Sequence, residues 1–213
     1  MTISPAALWL NTTFAGFDAG ITTAVHGLYD LAGGFFNLFF SFLSFTTSPA
    51  AVIIIALSLA FFKRTRRFGL AFLLSVSVGA ILTNGCLKLL IARPRPYADP
   101  NSIYHQFWLM VGQHLESDNS FPSGHTTGAF AAMTAIYLRC DRRYSWLGYV
   151  YAFLAALSRI YLCVHYPSDV VVGVVVGLTA GFIGTAIAVR LPRVCYTFDF
   201  FHIKKGKHCK ERE

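Results

Sequence analysis

Charged residues are scarce in this sequence. Asp, Glu, Lys and Arg make up 13% of its 213 residues, whereas 55% are hydrophobic and 15% are aromatic. A soluble domain of this length usually carries about 25% charged residues, so this chain lacks the charge to cover a water-facing surface. Its apolar residues are gathered in blocks, and this distribution indicates an integral membrane protein.

Several other common features are missing. The five cysteines are scattered, without a CxxC pair or a metal-ligand cluster, so we expect free thiols. We also expect no metal and no cofactor. The sequence has no internal repeat or low-complexity linker, which predicts one domain over residues 1–213. The first twenty residues contain no Lys or Arg. Because a cleavable secretory signal begins with positive charge, we expect no such signal.

Six apolar blocks run along the chain, at roughly residues 22–45, 49–62, 68–91, 124–138, 146–164 and 170–191. A helix needs about 20 residues to cross a bilayer, so the second and fourth blocks need neighbouring residues to complete a span. Gly and Ser are frequent inside the blocks, as close helix packing in lipid favours. We predict an all-α fold, a bundle of six transmembrane helices.

The net charge of +8 is concentrated in three regions. Fourteen of the eighteen Lys and Arg residues lie between the second and third blocks, between the fourth and fifth, or at and beyond the end of the sixth. With six spans these regions share one side, which the positive-inside rule makes cytoplasmic. We therefore expect a multi-pass plasma-membrane protein with both termini in the cytoplasm and a basic tail from about Pro192. The same distribution argues against nucleic acid as a partner.

The four remaining cations oppose this bias, because they lie near the outer ends of two blocks. Charged groups at membrane depth are costly, which makes these residues functional candidates. Lys88 and Arg95 are seven residues apart, so two helical turns place them on one face. Arg159 lies near the end of the fifth block. The alternative is snorkelling at the interface, and for Arg93 we expect a spare cation at the lipid headgroups.

Two histidines stand beside helix-start signals. Ser123 opens the fourth block, which places His125 in the first turn of a helix. His165 lies in the turn after the fifth block, and Ser168 is the predicted N-cap of the sixth. Asp169 then reaches back to one ring nitrogen of His165, which leaves the other nitrogen as a base or nucleophile. The alternative is an interfacial histidine beside a capping aspartate.

Helix alternation brings these elements to one membrane face. The end of the third block, the start of the fourth, the end of the fifth and the start of the sixth all lie on the outer side. Cations and a helix start bind the oxyanions of a phosphate, and imidazoles transfer protons or attack. The residues that share this layer are Lys88, Arg95, Ser123, His125, Arg159, His165 and Asp169.

Three motifs resemble those of the type 2 phosphatidic acid phosphatase (PAP2) superfamily. They are "KLLIARPRP", which holds Lys88 and Arg95, "PSGH", which ends at His125, and "SRIYLCVHYPSD", which ends at Asp169. Their order and spacing fit the family pattern without a gap. The resemblance implies a metal-independent phosphatase that acts on lipid phosphates, with its active site at the outer membrane–water interface.

The resemblance also implies a role for each motif residue. His165 would attack phosphorus and form a phosphohistidine, with Asp169 orienting it. His125 would protonate the leaving oxygen and then activate water. The phosphate oxygens would be held by Lys88, Arg95, Ser123, Gly124 and Arg159.

The outer segment, residues 96–121, has helical periodicity of its own. Ile103, Phe107, Met110 and Val111 recur at helical spacing, so we predict a short amphipathic helix in the outer interface that guides or caps a lipid. The alternative is a packing loop with an aromatic-belt residue.

The motifs do not identify the lipid. We favour undecaprenyl pyrophosphate over phosphatidylglycerol phosphate, phosphatidic acid and lipid A. A lipid phosphotransferase on the same scaffold and a non-catalytic lipid-binding or transport protein are the alternatives, whereas six apolar spans argue against a soluble vanadate-dependent haloperoxidase. The expected partners are a lipid phosphate substrate and membrane lipids, and the oligomeric state is open.

Overall fold

The computed structural model describes residues 3–140 and 142–191, and within these ranges the chain forms ten α-helices. A π-helical stretch, Ile81–Leu87, joins α4 to α5, and a 3₁₀ turn, Pro96–Ala98, precedes α6. The predicted basic tail lies outside the described residues. The helices are α1 Pro5–Thr13, α2 Ala15–Thr46, α3 Pro49–Phe61, α4 Arg66–Ala80, α5 Lys88–Ile91, α6 Ile103–Met110, α7 Gly124–Arg139, α8 Arg142–Ser145, α9 Leu147–Tyr161 and α10 Pro167–Arg190.

Three helical stretches of the described ranges are long and apolar enough to cross a membrane: Ala15–Thr46, Arg66–Ala98 and Pro167–Arg190. Each of the six predicted blocks overlaps a helix, but α3, α7 and α9 have 13, 16 and 15 residues. At about 1.5 Å per residue, these three fall short of a hydrocarbon core of about 30 Å. An all-helical membrane fold is therefore confirmed, while the count of six crossings stays a prediction.

α2 carries a kink and a lipid-like surface. The kink lies at Ala32, whose φ of −163° and ψ of 62° leave the helical region. Gly33 and Gly34 follow directly, and glycines are a common cause of sharp kinks. On the same helix Leu31 is 77% exposed and Leu38 is 75% exposed. Such a surface is unusual in water, and it suits contact with acyl chains.

α10 lies between α4 and α7, and its glycines permit a very close approach. A Cβ built on Gly184 would lie 2.3 Å from the Ser75 Cα of α4, and one built on Gly177 would lie 2.7 Å from the Thr127 carbonyl oxygen of α7. Side chains do not fit at these distances, so the backbones themselves are in contact, as is common between membrane helices. This packing brings the starts of α7 and α10 together.

The start of α7 is where the sequence predicts it, whereas α10 begins earlier than expected. Ser123 caps α7 through its side chain. α10 begins at Pro167 with Tyr166 as N-cap, so the prediction that Ser168 is the cap was wrong. The reason is that the Asp169 carboxylate accepts the Tyr166 N–H at 3.1 Å, while Pro167 supplies the φ favoured at the first helical position.

Candidate active site

A cavity of about 140 Å³ lies between α3, α4, α5 and the first turns of α7. One end is apolar and is formed by Val52, Ile53 and Val76. The other end is charged and brings together five of the eight predicted site residues: Lys88, Arg95, Gly124, His125 and His165. The remaining three predicted residues do not line the cavity; they are Ser123, Arg159 and Asp169.

His165 is buried in the turn between α9 and α10, with its two ring nitrogens in different surroundings. Nε2 lies 3.0 Å from an Arg95 guanidinium nitrogen, and Nδ1 points towards Asp169. Burial lowers the pKa of His165 well below its usual value, and the charges of Arg95 and Arg159 lower it further. The imidazole is therefore neutral at pH 7. A proton on Nδ1, facing the carboxylate, leaves Nε2 as the ring nitrogen that accepts the Arg95 N–H at the cavity wall.

Asp169 is fully buried beside the His165 ring, and a serine stands between them. The nearest carboxylate oxygen is 3.6 Å from Nδ1, which is too long for a direct hydrogen bond. The Ser120 hydroxyl donates to this oxygen at 2.5 Å and lies 3.5 Å from Nδ1. Sequence analysis missed Ser120, because a serine outside the motifs carries no signal until the fold places it here.

The three cations predicted to hold phosphate are paired with carboxylates of the segment between α6 and α7. Asp118 pairs with both Lys88 and Arg95, and Glu116 pairs with Arg159. Burial raises the pKa of Asp118, but hydrogen bonds and charge from Lys88 and Arg95 outweigh it, so the pKa is lowered. The two carboxylates would therefore compete with a phosphate for these cations. Sequence analysis assigned no role to either of them.

The N-terminus of α7 forms another wall of the cavity. Gly124 and His125 line it, and N–H groups in a first helical turn have no intrahelical acceptor. The Ser123 oxygen accepts the Thr126 hydroxyl at 2.9 Å, a bond that does not use the hydrogen of the Ser123 hydroxyl. A Cβ built on Gly124 would lie 3.8 Å from Lys88 Nζ, an ordinary contact. The helix start therefore offers backbone donors, and the Ser123 hydroxyl caps it.

Arg159 reaches the edge of this site from α9. It is buried and donates to the Ser44 hydroxyl of α2 as well as to Glu116. Among the described residues its Nε has no hydrogen-bond partner. A buried guanidinium donor that lacks an acceptor is available to an incoming anion.

Arg93 was expected to be a spare cation at the lipid headgroups, and this prediction was wrong. Its side chain is 1% exposed and forms ion pairs with Asp18 of α2 and Asp169 of α10. The expectation failed because Asp18 lies 75 residues away in the chain, and nothing local in the sequence indicates this partner.

α6, Ile103–Met110, confirms that the outer segment contains a helix. Phe107 stacks on His26 of α2 with ring centroids 3.9 Å apart, and Trp108 is buried. Ile103 and Met110 on the same helix are each 42% exposed. One side of α6 therefore packs on the bundle, as expected if this segment serves packing. Its other side leaves apolar surface uncovered.

The sequence of this chain is similar to those of known lipid phosphatases. The undecaprenyl-diphosphatase of Sulfolobus acidocaldarius is 30% identical over 129 residues, which is 61% of this chain and 59% of that protein. The undecaprenyl-diphosphatase BcrC of Bacillus subtilis is 32% identical over 106 residues, 50% of this chain and 51% of that protein. The matches thus span between half and three fifths of these relatives.

A solved structure extends the likeness to most of the chain. It is the first transmembrane PAP2 type phosphatidylglycerolphosphate phosphatase from Bacillus subtilis, with a TM-score of 0.64 and 25% identity, and the match covers 88% of this chain and 92% of that one. The family model described as PAP2 superfamily matches residues 68–193, a range that holds the charged cavity wall and both histidines. From the family match, which covers more than half of the chain, we conclude that this membrane protein belongs to the PAP2 superfamily.

Proposed function

We propose that the protein is an integral-membrane lipid phosphatase that removes a terminal phosphate through a phosphohistidine, without a metal ion. The observation that carries this proposal is the setting of His165. Nε2 stands at the charged end of the cavity beside Arg95, and Asp169 lies behind Nδ1. Burial and the neighbouring arginines lower the pKa of the imidazole, which favours its neutral form. This arrangement is that of an activated nucleophile beside an anion site.

In the first step, His165 Nε2 attacks phosphorus and the bond from phosphorus to the lipid-side oxygen breaks. His125, on the first turn of α7, acts as the imidazolium, which the negative charge of the bound phosphate favours, and gives its proton to that oxygen. Lys88, Arg95 and the α7 amides stabilise the phosphoryl oxygens, since phosphoryl transfer depends mainly on positioning and charge compensation.

In the second step, water attacks the phosphorus of the phosphohistidine. His125 now accepts a proton from this water, and the P–N bond to His165 breaks. Inorganic phosphate leaves, and both imidazoles return to their starting states. The positive charge that develops on the phosphorylated ring is compensated by the Asp169 carboxylate behind it.

We propose undecaprenyl pyrophosphate as the substrate. Two relatives are named undecaprenyl-diphosphatases. The cavity supports a lipid substrate in general, because its charged end continues into an apolar end at α3 and α4. A terminal phosphate bound at Lys88 and Arg95 would leave the hydrocarbon chain on the apolar side.

Phosphate release by the purified protein in detergent, with EDTA present, tests this function. Undecaprenyl pyrophosphate, phosphatidylglycerol phosphate and phosphatidic acid are compared at equal concentrations. We expect release that EDTA does not reduce, fastest with the pyrophosphate. Loss of release in EDTA, restored by a divalent cation, would contradict the metal-free mechanism. Transfer of labelled phosphate to a second lipid would instead establish a phosphotransferase, and a folded protein without either activity would indicate a lipid-binding protein.

We further propose that the protein lies in the plasma membrane with its site on the outer face and both termini in the cytoplasm, as the distribution of Lys and Arg favours. Asn101 is exposed on the segment that precedes α6. We expect Asn101→Cys, in a background without the five native cysteines, to react with a membrane-impermeant maleimide in intact cells. Labelling that requires permeabilised cells would reverse the orientation.

A further inference from the structure

Arg93 lies two residues before Arg95, yet its surroundings are quite different. Its guanidinium uses every nitrogen: Nε donates to Asn11 at 2.7 Å, one terminal nitrogen donates to Asp169 at 2.5 Å, and the other donates to Asp18 at 2.9 Å. The guanidinium also lies over the Tyr166 ring, 3.8 Å from its centroid. These contacts lock the side chain in place.

This arginine does not belong to the phosphate site. The charged end of the active-site cavity is formed by Lys88, Arg95 and the histidines, and Arg93 is not part of that wall. Its two carboxylate partners are themselves 2% exposed or less at the side chain. A guanidinium that is 1% exposed and paired with two buried carboxylates lies out of reach of a substrate phosphate in the cavity, so its role must be exerted through its partners.

Asp169 is the partner that connects Arg93 to the reaction. One oxygen of Asp169 accepts from Arg93, and the other accepts from the Ser120 hydroxyl and the Tyr166 N–H. The carbonyl oxygen of Arg93 in turn accepts the Ser120 N–H at 2.8 Å. Arg93 therefore holds one carboxylate oxygen directly and, through its backbone, fixes the serine on the other.

Asp18 supplies the second anchor of Arg93. Its carboxylate accepts the Ser168 N–H and hydroxyl, both at 2.8 Å, in the first turn of α10. Asp18 thus ties α2 to the helix that carries Asp169, and the helix N-terminus favours the negative charge of both carboxylates. The charges of Arg93, Asp18 and Asp169 sum to −1. This negative charge lies behind the His165 ring, which becomes positive when it is phosphorylated.

We propose that Arg93, anchored by Asp18, is a positioning residue that holds the Asp169 carboxylate in the orientation and charge state needed behind His165. The inference rests on the proposed function, because it gives Asp169 the task of compensating the phosphorylated imidazole. Without Arg93, a buried carboxylate loses its charge partner, and it either rotates or takes up a proton. Both changes slow attack by Nε2, while the phosphate-binding cations stay in place.

A double-mutant cycle of Arg93→Met and Asp169→Asn tests this role. We expect Arg93→Met to lower kcat by roughly 10- to 100-fold, the size typical of residues that support a catalytic group, with KM and vanadate affinity changed less than about threefold. Arg93→Lys should recover part of the rate, because lysine restores the positive charge but lacks the planar guanidinium that donates to both carboxylates at once. In the Asp169→Asn background the further loss should be less than about threefold, because both changes act on one group.

The control is Arg66→Met, which removes another buried arginine at the start of α4, where it donates to the Ala60 and Phe61 carbonyls. It should lower stability without altering kcat per folded molecule. If Arg93→Met does not fold, Asp18→Asn replaces it, and we expect about a tenfold lower kcat with unchanged vanadate affinity.

Independent, additive losses in the cycle would overturn the proposal, as would a raised KM at unchanged kcat or full activity of a folded Arg93→Met protein. The cycle also separates this inference from the function on which it rests. If His165→Ala keeps its activity, the phosphohistidine function itself fails. If His165→Ala is inactive while the cycle is additive, only the role of Arg93 fails.

Discussion

Replacing His165 with alanine is expected to lower the phosphatase rate by more than about 10³-fold. The imidazole is the group whose Nε2 stands at the charged end of the cavity with Asp169 behind it. His125 shares the cavity, but it is assigned to proton transfer. The variant should also lose the covalent intermediate, so incubation with ³²P-labelled substrate followed by quenching in base should leave no label on the protein.

His105→Ala is the matched control for this experiment. His105 lies on α6, where Nδ1 contacts the Tyr97 carbonyl at 2.7 Å, and it is not part of the cavity wall. Its loss should change the rate less than about twofold, as expected for a substitution away from the site. A folded His165→Ala protein that still forms a base-stable phosphoprotein would show that another residue is the nucleophile.

Replacing His125 with alanine is expected to produce a loss that depends on the leaving group. With phosphatidic acid, whose leaving group is an alkoxide, we expect a decrease of roughly 10²- to 10⁴-fold, the range attributed to general acid–base catalysis. With p-nitrophenyl phosphate the leaving group needs no proton, so the first step should be largely spared. The second step still lacks its base, and the phosphohistidine should accumulate.

Rapid-mixing experiments distinguish these steps. His125→Ala should release a burst of p-nitrophenol close to one equivalent per enzyme, followed by slow turnover, whereas His165→Ala should give no burst. The loss should be smaller for a pyrophosphate substrate than for phosphatidic acid, because a lipid phosphate is a better leaving group than an alkoxide. Equal losses for all substrates, without a burst, would contradict the assignment of His125 to proton transfer.

The features that sequence analysis captured are local ones. Helix periodicity located α7 and α10, and the capping chemistry of Ser123 located the start of α7. Alternation of spans placed Lys88, Arg95, His125 and His165 on one side, and the structure brings these four together in one cavity. Each of these inferences depends on spacing along a helix or on the order of helices. A single sequence contains both kinds of information.

The features that sequence analysis missed depend on contacts between distant parts of the chain. Asp18 meets Arg93 across 75 residues and Ser168 across 150 residues, and no periodicity signals such pairs. Ser120 and the carboxylates of Glu116 and Asp118 lie in a segment without regular structure, so their direction was not predictable. Ser168 failed as a cap because the helix begins one residue before it, at Pro167, where the Asp169 carboxylate accepts the Tyr166 N–H.

The carboxylates of Glu116 and Asp118 have a consequence for the end of the catalytic cycle. In the proposed reaction, three cations that bind a substrate phosphate would also bind inorganic phosphate, and an uncompensated cluster would retain it and slow turnover. Ion pairs within the protein are ready to replace a departing phosphate. The free energy of phosphate binding would then be a difference between two sets of ion pairs. Product release would be made easier by residues that take no part in the proposed chemistry.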